Sequence, residues 1–145
     1  MTEVIGIDHI YIAVSDLGRS EVFYDKAMAA IGFRKTTFTI GCDPHVQYFN
    51  RHFGFVLRPA RSRTPHEPYA QGLHHFCLRV EGKDDVENAA AKLRAVGIDA
   101  SEPKLCPEYA PDYYATFFSD PDGLRLEVTN YRAERRHRHD HWDKT

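Results

Sequence analysis

His9, His75 and Glu127 are the residues whose types and placement can do chemistry together. His9 sits in the run IDHIYIAV and His75 holds the matching place in LHHFCLRV, so the chain repeats itself. Strand side chains alternate faces. In the first run Ile10, Ile12 and Val14 form the apolar face, leaving His9, Tyr11 and Ala13 on the other. In the second run Phe76, Leu78 and Val80 are apolar, with His75, Cys77 and Arg79 opposite. In the late strand Leu124, Leu126 and Val128 are the apolar set, which turns Arg125, Glu127 and Thr129 toward the histidine face. A strand histidine or a strand-end glutamate has an ordinary structural explanation when taken singly; the repeat-related placement is what joins the three. Two imidazoles and one carboxylate with open positions suit one divalent ion, Fe, Mn, Zn or Ni, in a catalytic rather than a closed structural site. A substrate with two adjacent oxygens would chelate the vacant positions, so that the metal stabilises an enolate or enediolate, polarises a carbonyl or binds dioxygen.

Other side chains complete the candidate site. A four-residue hairpin turn at Asp120 to Gly123 would pair Ser119 with Leu124 and set Thr116 opposite Glu127 and Tyr114 opposite Thr129. Thr116, Tyr11 and Arg125 are then substrate-binding candidates on the same face. Tyr109, Tyr113 and Tyr114 cluster, and a hydroxyl from this group, with Tyr114 the candidate, would serve as acid or hydrogen-bond donor. Arg58 is read in two ways: a strand-end arginine reaching into solvent, or a catalytic or substrate-binding clamp for a carboxylate or phosphate. Alternation turns His74 toward the helix side, and Cys77 reads as a small buried side chain rather than a thiolate ligand.

The elements that must hold these residues follow the repeat. After each strand the apolar residues fall at helical spacing, Val22, Phe23, Ala27, Ala30 and Ile31 before Gly32, and Val86, Ala89, Ala90, Leu93 and Val96 before Gly97. Ser15, Asp16 and Gly18 are turn and helix-entry residues. Short β-type runs broken by turn residues complete each half, giving an α+β fold of two paired βαβββ modules around a metal-binding cup. The expected divisions are a first module over 1–58, a proline-containing linker over 59–71, a second module over 72–131 and a charged, histidine-rich, solvated tail over 132–145. His137, His139 and His141 in that tail would bind transition metals adventitiously.

The chain has 145 residues, 42% of them apolar and 28% charged, which is ordinary globular usage. Lys and Arg number 19 against 21 Asp and Glu, so no global field draws in nucleic acid or an anionic membrane, and small molecules are the expected partners. The N-terminal run lacks a basic segment followed by an apolar core, and the three cysteines form no CxxC pair, which together predict a cytoplasmic protein with reduced thiols.

With IDHIYIAVSDLGRSEVFY, GLHHFCLRV and YAPDYYATFFSDPDGLRLEV, the sequence resembles the vicinal oxygen chelate superfamily, which includes glyoxalase I, the fosfomycin and bleomycin resistance proteins and the extradiol dioxygenases. The resemblance covers about residues 5–131. It implies a homodimer, a divalent metal on His9, His75 and Glu127, and a lyase, isomerase or dioxygenase acting on a small oxygen-rich compound. A metal-free, ligand-sequestering resistance protein is the alternative. Glyoxalase I has a fourth ligand, a carboxylate in the first module at the place of Glu127. Matching Gly54 to Gly123 puts Arg58 there, and a guanidinium neither binds metal nor acts as a base near neutral pH.

Overall fold

The computed structural model describes residues 1–144. The chain forms two compact units, Met1–His66 and a second beginning at Glu67. In the first unit the order is β1 (His9–Val14), α1 (Leu17–Ala30), β2 (Arg34–Ile40), β3 (Asp43–Phe49) and β4 (Gly54–Pro59). In the second it is β5 (His75–Val80), α2 (Lys83–Ala95), β6 (Lys104–Leu105), β7 (Tyr114–Ser119), β8 (Arg125–Asn130) and α3 (Ala133–Asp140), then a 3-10 turn over Trp142–Lys144. Each unit holds a mixed four-stranded sheet, ordered β1-β4-β3-β2 in one and β5-β8-β7-β6 in the other. The first and last strands of each unit pair in parallel, and the remaining pairs are antiparallel.

Helices α1 and α2 end in the same way. Gly32 and Gly97 adopt left-handed φ values of 92° and 86°. Phe33 N–H then reaches back to Met28 O and Ile98 N–H to Leu93 O, satisfying carbonyls the helix itself leaves open. At the other end of α1, Asp16 Oδ1 accepts from Arg19 N–H. The buried stripe of α1 is Ser20, Tyr24, Ala27 and Met28. Val22, expected inside, is 59% exposed. The ring of Tyr24 fills the core instead, meeting Phe55 at 5.6 Å and Tyr48 at 5.9 Å. In α2 the expected Val86, Ala89, Ala90 and Leu93 are buried, whereas Val96, at the cap, is exposed. Among the described residues no helix is long and apolar enough to cross a membrane.

The β7–β8 hairpin differs from the sequence expectation. Ser119 pairs with Arg125, so five residues rather than four make the connection. The buried Asp120 carboxylate accepts from the N–H groups of both Asp122 and Leu124, and its own N–H donates to Leu124 O. Leu124 is thereby drawn into the turn with its side chain buried. A one-residue change of register exchanges the two faces of a strand. Phe117, not Thr116, lies opposite Glu127, and Ala115, not Tyr114, lies opposite Thr129.

The tail also differs. It is helical over Ala133–Asp140, though none of these residues is buried. Arg136 carries the attachment: it donates to the Glu81 carboxylate and backbone carbonyl and lies over the Tyr131 ring at 4.2 Å. Ala133 N–H donates to Asp112 Oδ2. Thr145 lies outside the described residues. Cutting the chain after Ala133 is expected to lower unfolding free energy by about 1 kcal/mol or less, the range of exposed ion pairs, with Arg136→Ala reproducing most of it. A thermal-unfolding comparison in which truncation is far costlier than Arg136→Ala would show further anchoring.

Tyr48 makes a second prediction. Its ring is buried and its hydroxyl donates to Asp25 Oδ1 at 2.8 Å, while Lys35 pairs with the same carboxylate and with Glu21. Burial first, and the Asp25 hydrogen bond second, push the phenol well above its ordinary value. The folded protein therefore binds a proton that the unfolded chain releases near pH 10, so this contribution is complete below about pH 10 and is lost as pH rises beyond it. Tyr48→Phe should cost about 1 to 2 kcal/mol at neutral pH and flatten the alkaline fall in stability. Denaturant titrations at pH 7 and above pH 10 measure both; an unchanged alkaline slope in the variant would refute the assignment.

Candidate functional site

In the second unit the parallel pairing of β5 with β8 sets His75 beside Arg125 and Cys77 beside Glu127. Glu127 is buried at 3% exposure, and His75 Nε2 stands 3.6 Å from its Oε2. The other carboxylate oxygen, Oε1, accepts the Tyr113 hydroxyl at 2.5 Å. Burial and this hydrogen bond push the Tyr113 phenol upward, so the tyrosine keeps its proton and remains the donor to Glu127 Oε1. Arg132 lies over the Tyr113 ring at 4.7 Å. Cys77 keeps an open edge, yet burial of its thiol among protein atoms, aided by the Glu127 charge, pushes it up to about 12. It is a neutral thiol, not a thiolate.

His75, Tyr113 and Glu127 line a cavity of about 260 Å³ together with His74, Tyr109, Phe117 and Arg125. His74 lies before β5, free of strand alternation, and turns to the cavity rather than to the helix side; its Nδ1 is 2.7 Å from His75 Nδ1. That contact uses the inner nitrogen of His75 and leaves Nε2 toward Glu127. Arg125 is held by neutral partners, the Tyr69 hydroxyl at 3.4 Å and the Tyr69 ring at 5.4 Å.

In the first unit His9, Tyr11 and Arg58 share one sheet face by register. His9 is half-exposed and its Nδ1 meets Asp8 Oδ2 at 2.7 Å. The Arg58 guanidinium donates to Asp43 Oδ2 at 2.6 Å, and Arg61 reaches the same oxygen at 3.0 Å. The Arg61 and Arg58 hydrogen bonds hold the Asp43 carboxyl below its usual range. Arg58 is thus engaged within its own unit. A cavity of about 390 Å³ opens on this face beside His9, Tyr11, Phe38, Gln47 and Val56.

Two site expectations require correction. Tyr114 and Thr116 lie on the helix side of β7, because the hairpin carries one more residue than expected: Tyr114 bonds Glu87 of α2, and Thr116 donates to Ser101 O. Tyr113, one residue earlier, is the tyrosine on the Glu127 face. Arg58, likewise, is not the counterpart of Glu127. His9 pairs with Gly54 as His75 pairs with Arg125, so the residue matching Glu127 is Val56. Gly54 begins a strand whereas Gly123 belongs to a turn, and matching the two glycines displaced the comparison by two residues. A Cβ on Gly54 would stand 3.1 Å from Tyr48 O, so it is close strand approach that favours glycine there. The absence of a carboxylate at the fourth-ligand place survives the correction, since valine offers no lone pair.

His75, Glu127 and Arg125 therefore come together in one unit, and His9, Tyr11 and Arg58 lie on one face of the other. Among the described residues no group of three or more His, Cys, Asp or Glu side chains is gathered as a metal set. Sequence reading missed Tyr113 as the residue on the carboxylate, His74 as a cavity residue, and His45. The signal for Tyr113 was present: correct register in the β7–β8 hairpin selects it.

Residues 6–128 match the family model described as the Glyoxalase/Bleomycin resistance protein/Dioxygenase superfamily. Among curated proteins, the uncharacterized protein YaeR of Escherichia coli strain K12 is 37% identical over 82 residues, 57% of this chain and 57% of that protein's length. Among solved structures, a glyoxylase/bleomycin resistance protein/dioxygenase domain from Frankia sp. EAN1pec superposes with a TM-score of 0.73 at 19% identity, covering 94% of this chain and 99% of that one. Lactoylglutathione lyase from Agrobacterium tumefaciens gives 0.65 at 19% identity over 89% of this chain and 96% of its own. The genomically encoded fosfomycin resistance protein FosX from Listeria monocytogenes, as a mutant complexed with Mn(II) and 1S,2S-dihydroxypropylphosphonic acid, gives 0.66 at 14% identity, covering 92% and 98%. At these identities the structural likenesses establish the fold, while the family model spans most of the chain. With both repeated strands and Glu127 inside the matched range, the chain belongs to the Glyoxalase/Bleomycin resistance protein/Dioxygenase superfamily.

Proposed function

We propose that this protein is a divalent-metal-dependent enzyme of the vicinal oxygen chelate type, a lyase, isomerase or dioxygenase acting on a small, oxygen-rich, anionic substrate. The observation that carries this reading is the buried Glu127 carboxylate with one oxygen fixed by Tyr113 and the other 3.6 Å from His75 Nε2. Two ligands bonded to one ion at roughly 2.0 to 2.2 Å each stand about 3 to 3.5 Å apart, so this pair fits an edge of a coordination shell with little adjustment. His9 is the third proposed ligand, and a homodimer the proposed assembly. A bound divalent ion would supply Lewis acidity to a substrate oxygen.

The chain's own residues supply the rest. Tyr113 keeps its proton and fixes Glu127 Oε1, which orients Oε2; His74 orients the His75 ring through Nδ1. Tyr109 and Phe117 line the cavity with aromatic rings, and Arg125, with only neutral partners among the described residues, is free to pair with a carboxylate, phosphate or phosphonate. A volume of about 260 Å³ lies below the roughly 300 to 1,000 Å³ of drug-sized sites, which suits a small molecule. Val56 leaves the fourth-ligand place without a base, which disfavours isomerisation of a glutathione hemithioacetal.

Metal analysis of chain lacking the histidine-rich tail should find about one divalent ion per His9, His75 and Glu127 set. His75→Ala should abolish binding, and Tyr113→Phe should weaken it by about 10- to 100-fold, as removal of a ligand-orienting partner does. Full retention of stoichiometric metal by the triple alanine variant would sink the assignment.

The substrate reading is tested on charge and reaction. Inorganic phosphate binding, measured calorimetrically, should weaken about tenfold in Arg125→Gln, the worth of one charge-assisted hydrogen bond, and change little in Arg58→Gln. The wild type loaded with Ni(II) or Zn(II) should turn over methylglyoxal plus glutathione poorly. Equal phosphate losses in the two variants would remove the anion role from Arg125, and efficient turnover would overturn the argument from Val56.

A further inference from the structure

His45 is 1% exposed on the same sheet face as Tyr11 and Arg58, and nothing in the proposed reaction uses it. Its Nδ1 lies 2.9 Å from the Asp43 backbone oxygen. A carbonyl only accepts, so Nδ1 carries the proton and Nε2 of the neutral ring presents a bare lone pair. That Nε2 is buried and has no hydrogen-bond partner among the described residues. A buried acceptor left unsatisfied is costly, and folds rarely retain one without a use.

The direction of that lone pair is fixed by the hydrogen bond on the other side of the ring. With Nδ1 turned back along β3 toward Asp43, Nε2 lies across the ring from it, and the next residue of the strand on that face is Gln47. Gln47, Tyr11, Phe38 and Val56 all line the first-unit cavity of about 390 Å³. Phe38 stacks on the imidazole at 4.9 Å, and the Tyr11 ring meets it edgewise at 5.8 Å. Tyr11 is 46% exposed, so it can be reached from solvent. The counterpart of His45 in the second unit, by strand register, is Ala115, so the imidazole is a feature of the first unit and not of the repeated frame.

We propose that His45 Nε2 is the acceptor for the hydroxyl of a small, flat molecule that enters the first-unit cavity between Phe38 and a displaced Tyr11. The aromatic rings accept the flat body and the imidazole reads the O–H. This binding site goes beyond the metal chemistry and needs no metal to operate.

The test uses the full chain in the presence of chelator, with phenol and anisole as probes; anisole keeps the ring and the oxygen but lacks the O–H. Phenol should bind roughly 3- to 10-fold more tightly, the worth of one neutral buried hydrogen bond. It should also move the His45 Nε2 nitrogen resonance, which anisole leaves in place. His45→Asn, whose amide keeps a donor near the Nδ1 position and removes Nε2, should bring the ratio of the two affinities to about one. Equal affinities in the wild type, a preference that persists in His45→Asn, or no binding of either probe would overturn the proposal. Should His45→Asn not fold, the Nε2 resonance of the unaltered protein decides: a shift with phenol alone supports the site, and its absence refutes it. Because metal is withheld, failure here leaves the His75 and Glu127 assignment untouched, and loss of that assignment leaves this site standing.

Discussion

The Asp120 carboxylate sets the geometry on which the second unit depends. By accepting from the N–H groups of Asp122 and Leu124 it closes a turn of five residues and fixes which residues of β7 oppose which of β8. Strand faces exchange with a shift of one residue, so this carboxylate decides that Phe117 and Tyr113 stand on the Glu127 face while Thr116 and Tyr114 turn to the helix. In the first unit the Asn50 side-chain oxygen does comparable work, accepting from His52 and Phe53 N–H just before β4 begins. Side-chain acceptors that capture local backbone donors compete with ladder hydrogen bonds and so define where a strand starts.

With the frames matched by register, the two units differ where it counts. Val56 stands against Glu127, Gln47 against Phe117, His45 against Ala115 and Asp43 against Tyr113. The helix-facing positions keep to one chemistry, large apolar side chains such as Phe55 and Leu57 in one unit and Leu126 and Val128 in the other. Packing constrains that face in both units alike, whereas the opposite face is at liberty to diverge. One unit has acquired a buried carboxylate with a phenol on it, and the other an imidazole with an unused lone pair.

The repeat, the strand alternation and the helix-ending glycines were legible in the sequence because each rests on local periodicity and local backbone demands. That His75 and Glu127 share one sheet face was legible for the same reason. The β7 face was not, because the five-residue turn depends on what the Asp120 carboxylate does, and DPDG reads equally well as a four-residue turn. Arg58 was misaligned because two glycines with different duties, one a close strand approach and one a left-handed turn at φ 84°, look identical as letters. His45 was invisible: its interest lies in burial and a missing partner, neither of which has a sequence signature. The α1 stripe was misread at Val22 and Phe23 because Tyr24, amphipathic by composition, has its ring in the core and supplies the contacts that Val22 was expected to make.

A buried carboxylate must be compensated, and the means of compensation bears on what Glu127 can do. An arginine paired directly with it would neutralise the charge and occupy its oxygens. Tyr113 satisfies one oxygen with a neutral donor instead, and the guanidinium that approaches that tyrosine, Arg132, acts through the ring face. One oxygen is therefore satisfied without a cation bonded to the carboxylate, and Oε2 is left toward His75. Asp43 shows the opposite solution: two guanidinium groups converge on one of its oxygens, which suits a structural brace and leaves that oxygen little capacity for any further ligand. The contrast between the two carboxylates, one held by a phenol and one saturated by arginines, is the physical reason to seek the metal at Glu127 and the brace at Asp43.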